Sequence, residues 1–248
     1  MSDQQKKVWD GIWSGNVSYS WDPLSQSIYE TMRELAGDFR DKDILEAGSG
    51  SGKISLRLAG EGARVTLVDY SEKALANSRA AFRSAGCEGS FVLSDIRCME
   101  VSGQSNDLTW NAGVLEHFTS DEKVAILREM ARVTRPGGMV VTLTPYAKCL
   151  PYRAGKAYGE RQGTWMYGIE EPVLTVEDEF RRSGIEWIGE TNIGFLNSLD
   201  FLDYIPEAQP VKQAIRQWYE TLPAEEQRLF PGYLLVSAGK VRAFGGTA

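Results

Sequence analysis

The chain has one histidine and three cysteines in 248 residues. A single histidine excludes a zinc site built on several imidazoles. Cys87, Cys98 and Cys149 are scattered and odd in number, so they supply neither a disulfide framework nor a CxxC metal pair. No run approaches the roughly 18–20 consecutive apolar residues of a membrane helix. The polar start, residues 1–7, lacks the apolar core of a signal peptide. An excess of positive charge is missing as well: 27 basic residues face 34 acidic ones, for a net charge of −7. A polyanion held by general electrostatics is therefore not an expected partner. These absences predict a soluble, cytoplasmic protein with no metal bound by its own ligands, no nucleic-acid partner and no membrane attachment.

What is present divides into two compositions. Residues 43–144 hold one proline and repeat short apolar runs separated by helical stretches. Residues 145–232 hold seven of the nine prolines, and three of the seven tryptophans stand in the first 21 residues. There is no internal repeat and no low-complexity tract. The pattern predicts strands at 43–47, 64–69, 90–95, 107–112 and 139–144. Between them lie a short helix over 54–60, a helix capped by Ser71 that runs to about Ser84, and a helix opened by a capping box, Thr119-Ser120-Asp121-Glu122. Pro136-Gly137-Gly138 is read as the stop of that third helix. Thr175 opens one more capped helix, and 185–195 and 233–240 read as a closing antiparallel pair. Strands alternating with helices predict a parallel sheet covered on both faces.

The chemistry concentrates in Ile44-Leu45-Glu46-Ala47-Gly48-Ser49-Gly50-Ser51-Gly52, a strand that runs into a glycine-rich turn and then a helix. Glycines let backbone approach a ligand, and the helix start offers unpaired amides. Gly52-Lys53 is not a P-loop, because Ala47 and Ile54 stand where Gly and Ser or Thr are required. The dinucleotide fingerprint fails too, with Lys53 at its third glycine.

The acid-x-Gly-x-Gly-x-Gly form that remains resembles the first motif of the class I S-adenosylmethionine-dependent methyltransferases. Four further segments resemble that family in order. They are Asp69 ending the second strand, Asp95 ending the third, Asn111-Ala112-Gly113-Val114-Leu115-Glu116-His117-Phe118 after the fourth, and Arg135-Pro136-Gly137-Gly138 before the fifth. The likeness covers residues 44–144 and points to the small-molecule branch. It implies a Rossmann-like α/β fold whose seven-stranded, mostly parallel sheet runs 3-2-1-4-5-7-6, with only the last-numbered strand antiparallel. An N-terminal aromatic arm over residues 1–40 would precede a domain over 41–248, with an insertion at about 145–172. The implied cofactor is S-adenosylmethionine. Gly48, Gly50 and Gly52 would cradle it, and Asp69, 21 residues beyond Gly48, would accept from the ribose hydroxyls. Asp95 and the Ile96 amide would read the adenine. Glu46 and the Asn111 carbonyl would hold the methionine ammonium, or Glu46 would order the loop. Tyr70 would lie beside adenine or ribose, or pack under the second helix.

His117, at the carboxyl edge of the sheet, is the candidate proton acceptor, with support of the cofactor loop as the alternative. The acceptor is expected to be a small molecule met by the variable parts: Trp13 and Tyr19 in the arm, and Tyr146, Tyr152, Trp165 and Tyr167 in the insertion. Trp9 and Trp13 are four apart, on one helical face. Lys148, Arg153, Lys156 and Arg161 make 146–168 basic within an acidic chain, which would suit a carboxylate or phosphate. The Asn-Pro-Pro-Tyr type of motif, found in enzymes that act on nucleobase or glutamine amino groups, is absent after the fourth strand. A cofactor-binding protein without turnover and a protein methyltransferase are the other readings. The acceptor atom and the oligomeric state are left open by the residues.

Overall fold

A computed structural model describes residues 3–15 and 17–242. Seven strands form one sheet: β1 (Asp43–Ala47), β2 (Arg64–Asp69), β3 (Ser90–Leu93), β4 (Asn106–Ala112), β5 (Thr134–Pro145), β6 (Ile185–Ile193) and β7 (Leu234–Val241). Their order is β3-β2-β1-β4-β5-β7-β6, as the family resemblance implies. The first five strands pair in parallel. Only β7 runs against its neighbours β5 and β6.

Successive side chains of a strand alternate between faces, and the core divides accordingly. Ile44, Leu108, Val141 and Leu234 face α2 (Pro23–Ala36), α3 (Lys53–Gly60) and α4 (Glu72–Ser84). Leu45, Val140 and Leu235 face the other way, toward α5 (Ser120–Val133) and α7 (Glu177–Arg182), whose Ile126, Leu127, Met130 and Phe180 are fully buried. Local chemistry fixes the helix starts. Ser71 caps α4 by accepting from the Ala74 amide, and Thr119 with Glu122 completes the capping box of α5. The remaining helices are α1 (Asp3–Ser14), α6 (Leu150–Gln162), α8 (Phe195–Ser198), α9 (Gln209–Thr221) and α10 (Ala224–Gln227).

Three local expectations are corrected. The strand expected from Met139 begins at Thr134, so α5 ends at Val133 before the Pro-Gly-Gly step. Thr134 Oγ1 donates to the Met130 carbonyl and turns the chain directly into the sheet. The third strand stops at Leu93, two residues short of Asp95. The closing strand expected to reach Phe195 ends at Ile193. Gly194, with φ of 81°, turns the chain into a helical segment of α8, a 3₁₀ turn (Leu199–Tyr204), α9 and α10. The stretch expected as an insertion, 145–172, contains α6, which packs against that 3₁₀ turn. No helix of the described residues is long and apolar enough to cross a membrane.

Candidate functional site

A cavity of about 430 Å³ opens at the carboxyl ends of β1, β2 and β4. Its floor is the glycine turn. Gly50 and Gly52 have φ of 50° and 62°, the left-handed region that side chains resist. Space is lacking as well: a Cβ on Gly50 would stand 2.5 Å from the Trp13 ring, and one on Gly52 would stand 2.3 Å from Leu67. The turn is tied to the neighbouring strand, with the Gly48 amide donating to Val68 O at 2.8 Å.

Two buried acids flank the turn. Asp69 Oδ2 accepts from the Gly50 amide and Oδ1 from the Ser71 amide, both at 2.8 Å. Burial raises its pKa, and those amides partly offset the rise. Glu46 is 6% exposed and lines the cavity, where its Oε2 accepts from Ser55 Oγ at 2.6 Å. Burial pushes its pKa up to about 8, against the Ser55 hydrogen bond. Asp95, at the mouth, behaves oppositely: Arg97 grips it at 2.7 Å and holds its pKa below the usual value. Tyr70, Ile96, Gly48 and Arg97 complete this part of the wall. Arg97 was not anticipated, although its place two residues after the acid is a local signal. Gly52 and Asn111 are not part of the wall. Gly52 caps α3, and the Asn111 side chain is buried toward Met130 Sδ, 3.4 Å away, leaving Ala112 and Gly113 to face the cavity.

Trp9, Trp13, Val114, His117 and Phe118 complete the lining, with Trp13 lying over Gly50 and Val114 against Gly48. The Trp9 and Trp13 rings stack at 6.2 Å, and Trp9 meets His117 edge-on at 5.3 Å. The His117 side chain is 2% exposed, with Nδ1 2.7 Å from Ile169 O and Nε2 3.7 Å from Glu116 Oε1. A carbonyl only accepts, so Nδ1 carries the proton and Nε2 the lone pair. Burial lowers the imidazole pKa, the Ile169 bond works against this, and the Lys156 charge adds to it. The ring is thus neutral at neutral pH. Glu116 is pushed up to about 8 by burial. Among the described residues Glu116, His117 and Glu170 bring one ligand atom each within 4.8 Å of one another. Bonds of about 2.1 Å to one ion require ligand atoms roughly 3–3.5 Å apart.

Of the six aromatic residues expected at the acceptor, the structure brings Trp13 alone to this cavity. Tyr152 is fully buried, donates to Glu170 Oε1 at 2.6 Å and packs on Phe201 and Tyr233 at 5.1 and 5.3 Å. Trp165 packs on Tyr167 and Tyr204, each at 5.2 Å, with Lys156 Nζ 5.3 Å from its ring. Lys156 itself pairs with Glu160. These rings join α6 to the segment between β6 and β7. Tyr146 is half-buried where the chain bridges to Val173, and half-buried Tyr19 lies outside the cavity wall. Trp9 and Phe118 are the cavity aromatics that the acceptor expectation leaves out; the spacing of Trp9 from Trp13 is the available signal.

Residues 44–138 match the family model described as a methyltransferase domain. Methyltransferase GfsG of Streptomyces halstedii is 31% identical over 153 residues, which cover 55% of this chain and 53% of that protein. Malonyl-[acyl-carrier protein] O-methyltransferase of Erwinia pyrifoliae is 36% identical over 121 residues, 49% of this chain and 44% of that one. The chain thus spans about half the length of these curated relatives. Among solved structures, geranyl diphosphate C-methyltransferase from Streptomyces coelicolor superposes with a TM-score of 0.67 at 12% identity. That match covers 96% of this chain and 98% of the other, a likeness of fold.

Proposed function

We propose that this chain is a class I S-adenosylmethionine-dependent methyltransferase that transfers a methyl group to a small-molecule acceptor in the cytoplasm. The observation that carries this reading is one cavity walled together by Glu46, Gly48, Gly50, Asp69, Asp95 and Ile96. Its chemistry suits the cofactor: a tight backbone cradle, and buried carboxylates where ribose hydroxyls and an ammonium need acceptors.

In this reading Asp69 accepts from the ribose while keeping the Gly50 amide in place. Glu46 faces the ammonium, and Asn111, which does not line the cavity, anchors the end of β4 beside it. Asp95 and the Ile96 amide read the adenine edge, with Tyr70 beside it, and Gly52 starts the helix that follows. Bound S-adenosylmethionine supplies a methyl group already activated by its sulfonium. The chain's own task is then to align the acceptor, exclude water and receive a proton. Trp9, Trp13 and Phe118 exclude water, and His117 Nε2 receives the proton of a hydroxyl, amine or acidic carbon. Residues 1–40 act as the cap and 41–248 as the catalytic domain. Tyr19, Tyr146, Tyr152, Trp165 and Tyr167 shape the acceptor side from behind the wall.

The test is incubation of the purified chain with methyl-labelled donor and fractionated small-molecule extracts, beside a His117→Ala control. Label should enter a low-molecular-weight product. Transfer to protein alone, or none despite donor binding, would contradict the proposal.

A further inference from the structure

One face of α1 carries Gln5, Trp9 and Trp13, spaced four residues apart. Each touches a different part of the site. Trp13 covers Gly50, and Trp9 meets the His117 ring at 5.3 Å. Gln5 is 5% exposed and grips the loop Tyr167-Gly168-Ile169. Its Oε1 accepts from the Ile169 amide and its Nε2 donates to the Tyr167 carbonyl, both at 3.0 Å. The loop is shaped around this side chain: Gly168 has φ of 72°, and a Cβ there would stand 2.6 Å from Gln5 Oε1. The same loop supplies the Ile169 carbonyl that accepts from His117 Nδ1 at 2.7 Å.

The Ile169 peptide units are therefore fixed from two sides. Gln5 holds the amide, and His117 donates to the carbonyl. That carbonyl selects the Nδ1–H tautomer and leaves Nε2 as the only ring nitrogen able to take a proton. We propose that Gln5 is a positioning residue: it fixes the Tyr167–Ile169 loop so that Ile169 O holds His117 in the proton-accepting tautomer. The seating of α1 over the glycine turn and the readiness of His117 then become one event. Nothing in the 167–169 stretch marks this in sequence, because the contact spans 164 residues.

The inference rests on His117 as the proton acceptor, and its test reads the ring directly. The chain has one histidine, so ¹⁵N-histidine labelling of tag-free protein gives the spectrum of a single imidazole. With S-adenosylhomocysteine added, wild type should show protonated Nδ1 and bare Nε2. Gln5→Ala should move the tautomer ratio about 2- to 10-fold toward Nε2–H, the scale of one lost hydrogen bond. The ring's titration midpoint should also rise as water reaches it. Glu116, Lys156 and Glu170 are the titratable groups around the ring and are unchanged in the variant. Gln5→Glu keeps the acceptor for the Ile169 amide and should lie between the two. In turnover, kcat should fall while donor affinity moves less. An unchanged tautomer and midpoint in folded Gln5→Ala, or in Gln5→Glu should the alanine variant not fold, would overturn the proposal. Tautomer selection without methyl transfer to any acceptor would overturn the proposed function instead, and leave the positioning role of Gln5 standing.

Discussion

Asp69 Oδ2 accepts a hydrogen bond from the Gly50 amide at 2.8 Å, so the acid that ends β2 holds the turn that follows β1. One carboxylate thereby has two tasks, shaping the cradle and meeting the ligand. Asp69→Ala should weaken S-adenosylmethionine binding at least about tenfold, since each charge-assisted bond contributes about 1.5–3 kcal/mol at most. Orphaning the Gly50 and Ser71 amides should also lower the melting temperature of the ligand-free protein. Calorimetry with a parallel thermal melt reads both effects, and unchanged affinity in a folded variant would rule out the ribose assignment.

Glu46 gives a prediction in protons. Its folded pKa, about 8, lies above the ordinary carboxyl value of 4.5, so the folded apoprotein keeps this proton at pH 7. Its contribution to stability is complete below about 4.5 and declines as pH rises toward 8. A bound ammonium favours the ionised carboxylate, so donor binding at pH 7 should release protons. Titrations in buffers of different ionisation enthalpy measure the release. It should shrink in Glu46→Gln, and equal release from both proteins would remove Glu46 from the ammonium site.

His117 has a pKa below its usual 6.5, chiefly through burial. The rate should therefore stay flat at neutral pH and fall only where acid protonates the ring. For a hydroxyl acceptor, His117→Gln should lose on the order of 100- to 10,000-fold in rate with donor binding nearly intact. If the variant keeps the acid limb and loses less than about tenfold, proton transfer to His117 is not part of the reaction.

Tyr152→Phe separates packing from acceptor contact. The Tyr152 hydroxyl donates to Glu170, which is 8% exposed. Leaving that acceptor unsatisfied should cost about 1–3 kcal/mol of stability, read as a lower denaturation midpoint, while donor affinity stays the same. Unchanged stability combined with a raised KM for the acceptor would instead make Tyr152 a direct substrate contact.

The parts of the molecule legible in the sequence are those whose signal is local. The run from Ile44 to Gly52, the acid Asp69 and the Thr119–Glu122 box each declare themselves within a few residues. The helices between β6 and β7 carry a weaker version of that signal: α9 repeats Val211, Ile215, Trp218 and Tyr219 at helical spacing, but no acid-capped start announces it, and its Tyr219 ring stacks on Phe195 at 4.3 Å instead of entering the sheet's core. Composition cannot tell a ring that packs α6, as Tyr152 and Trp165 do, from one that lines a cavity. Trp9 against His117, and Gln5 against Ile169, join the chain's start to segments far along it. Only folding brings those pairs together.

The most direct measurement is a calorimetric titration of the wild-type protein with S-adenosylmethionine and, separately, with NAD. Saturable one-to-one binding of S-adenosylmethionine, lost or strongly weakened in Asp69→Ala, with no heat from NAD, is the expected result. Saturable NAD binding, or no binding of S-adenosylmethionine by the folded chain, would contradict the assignment of the cavity and every role derived from it.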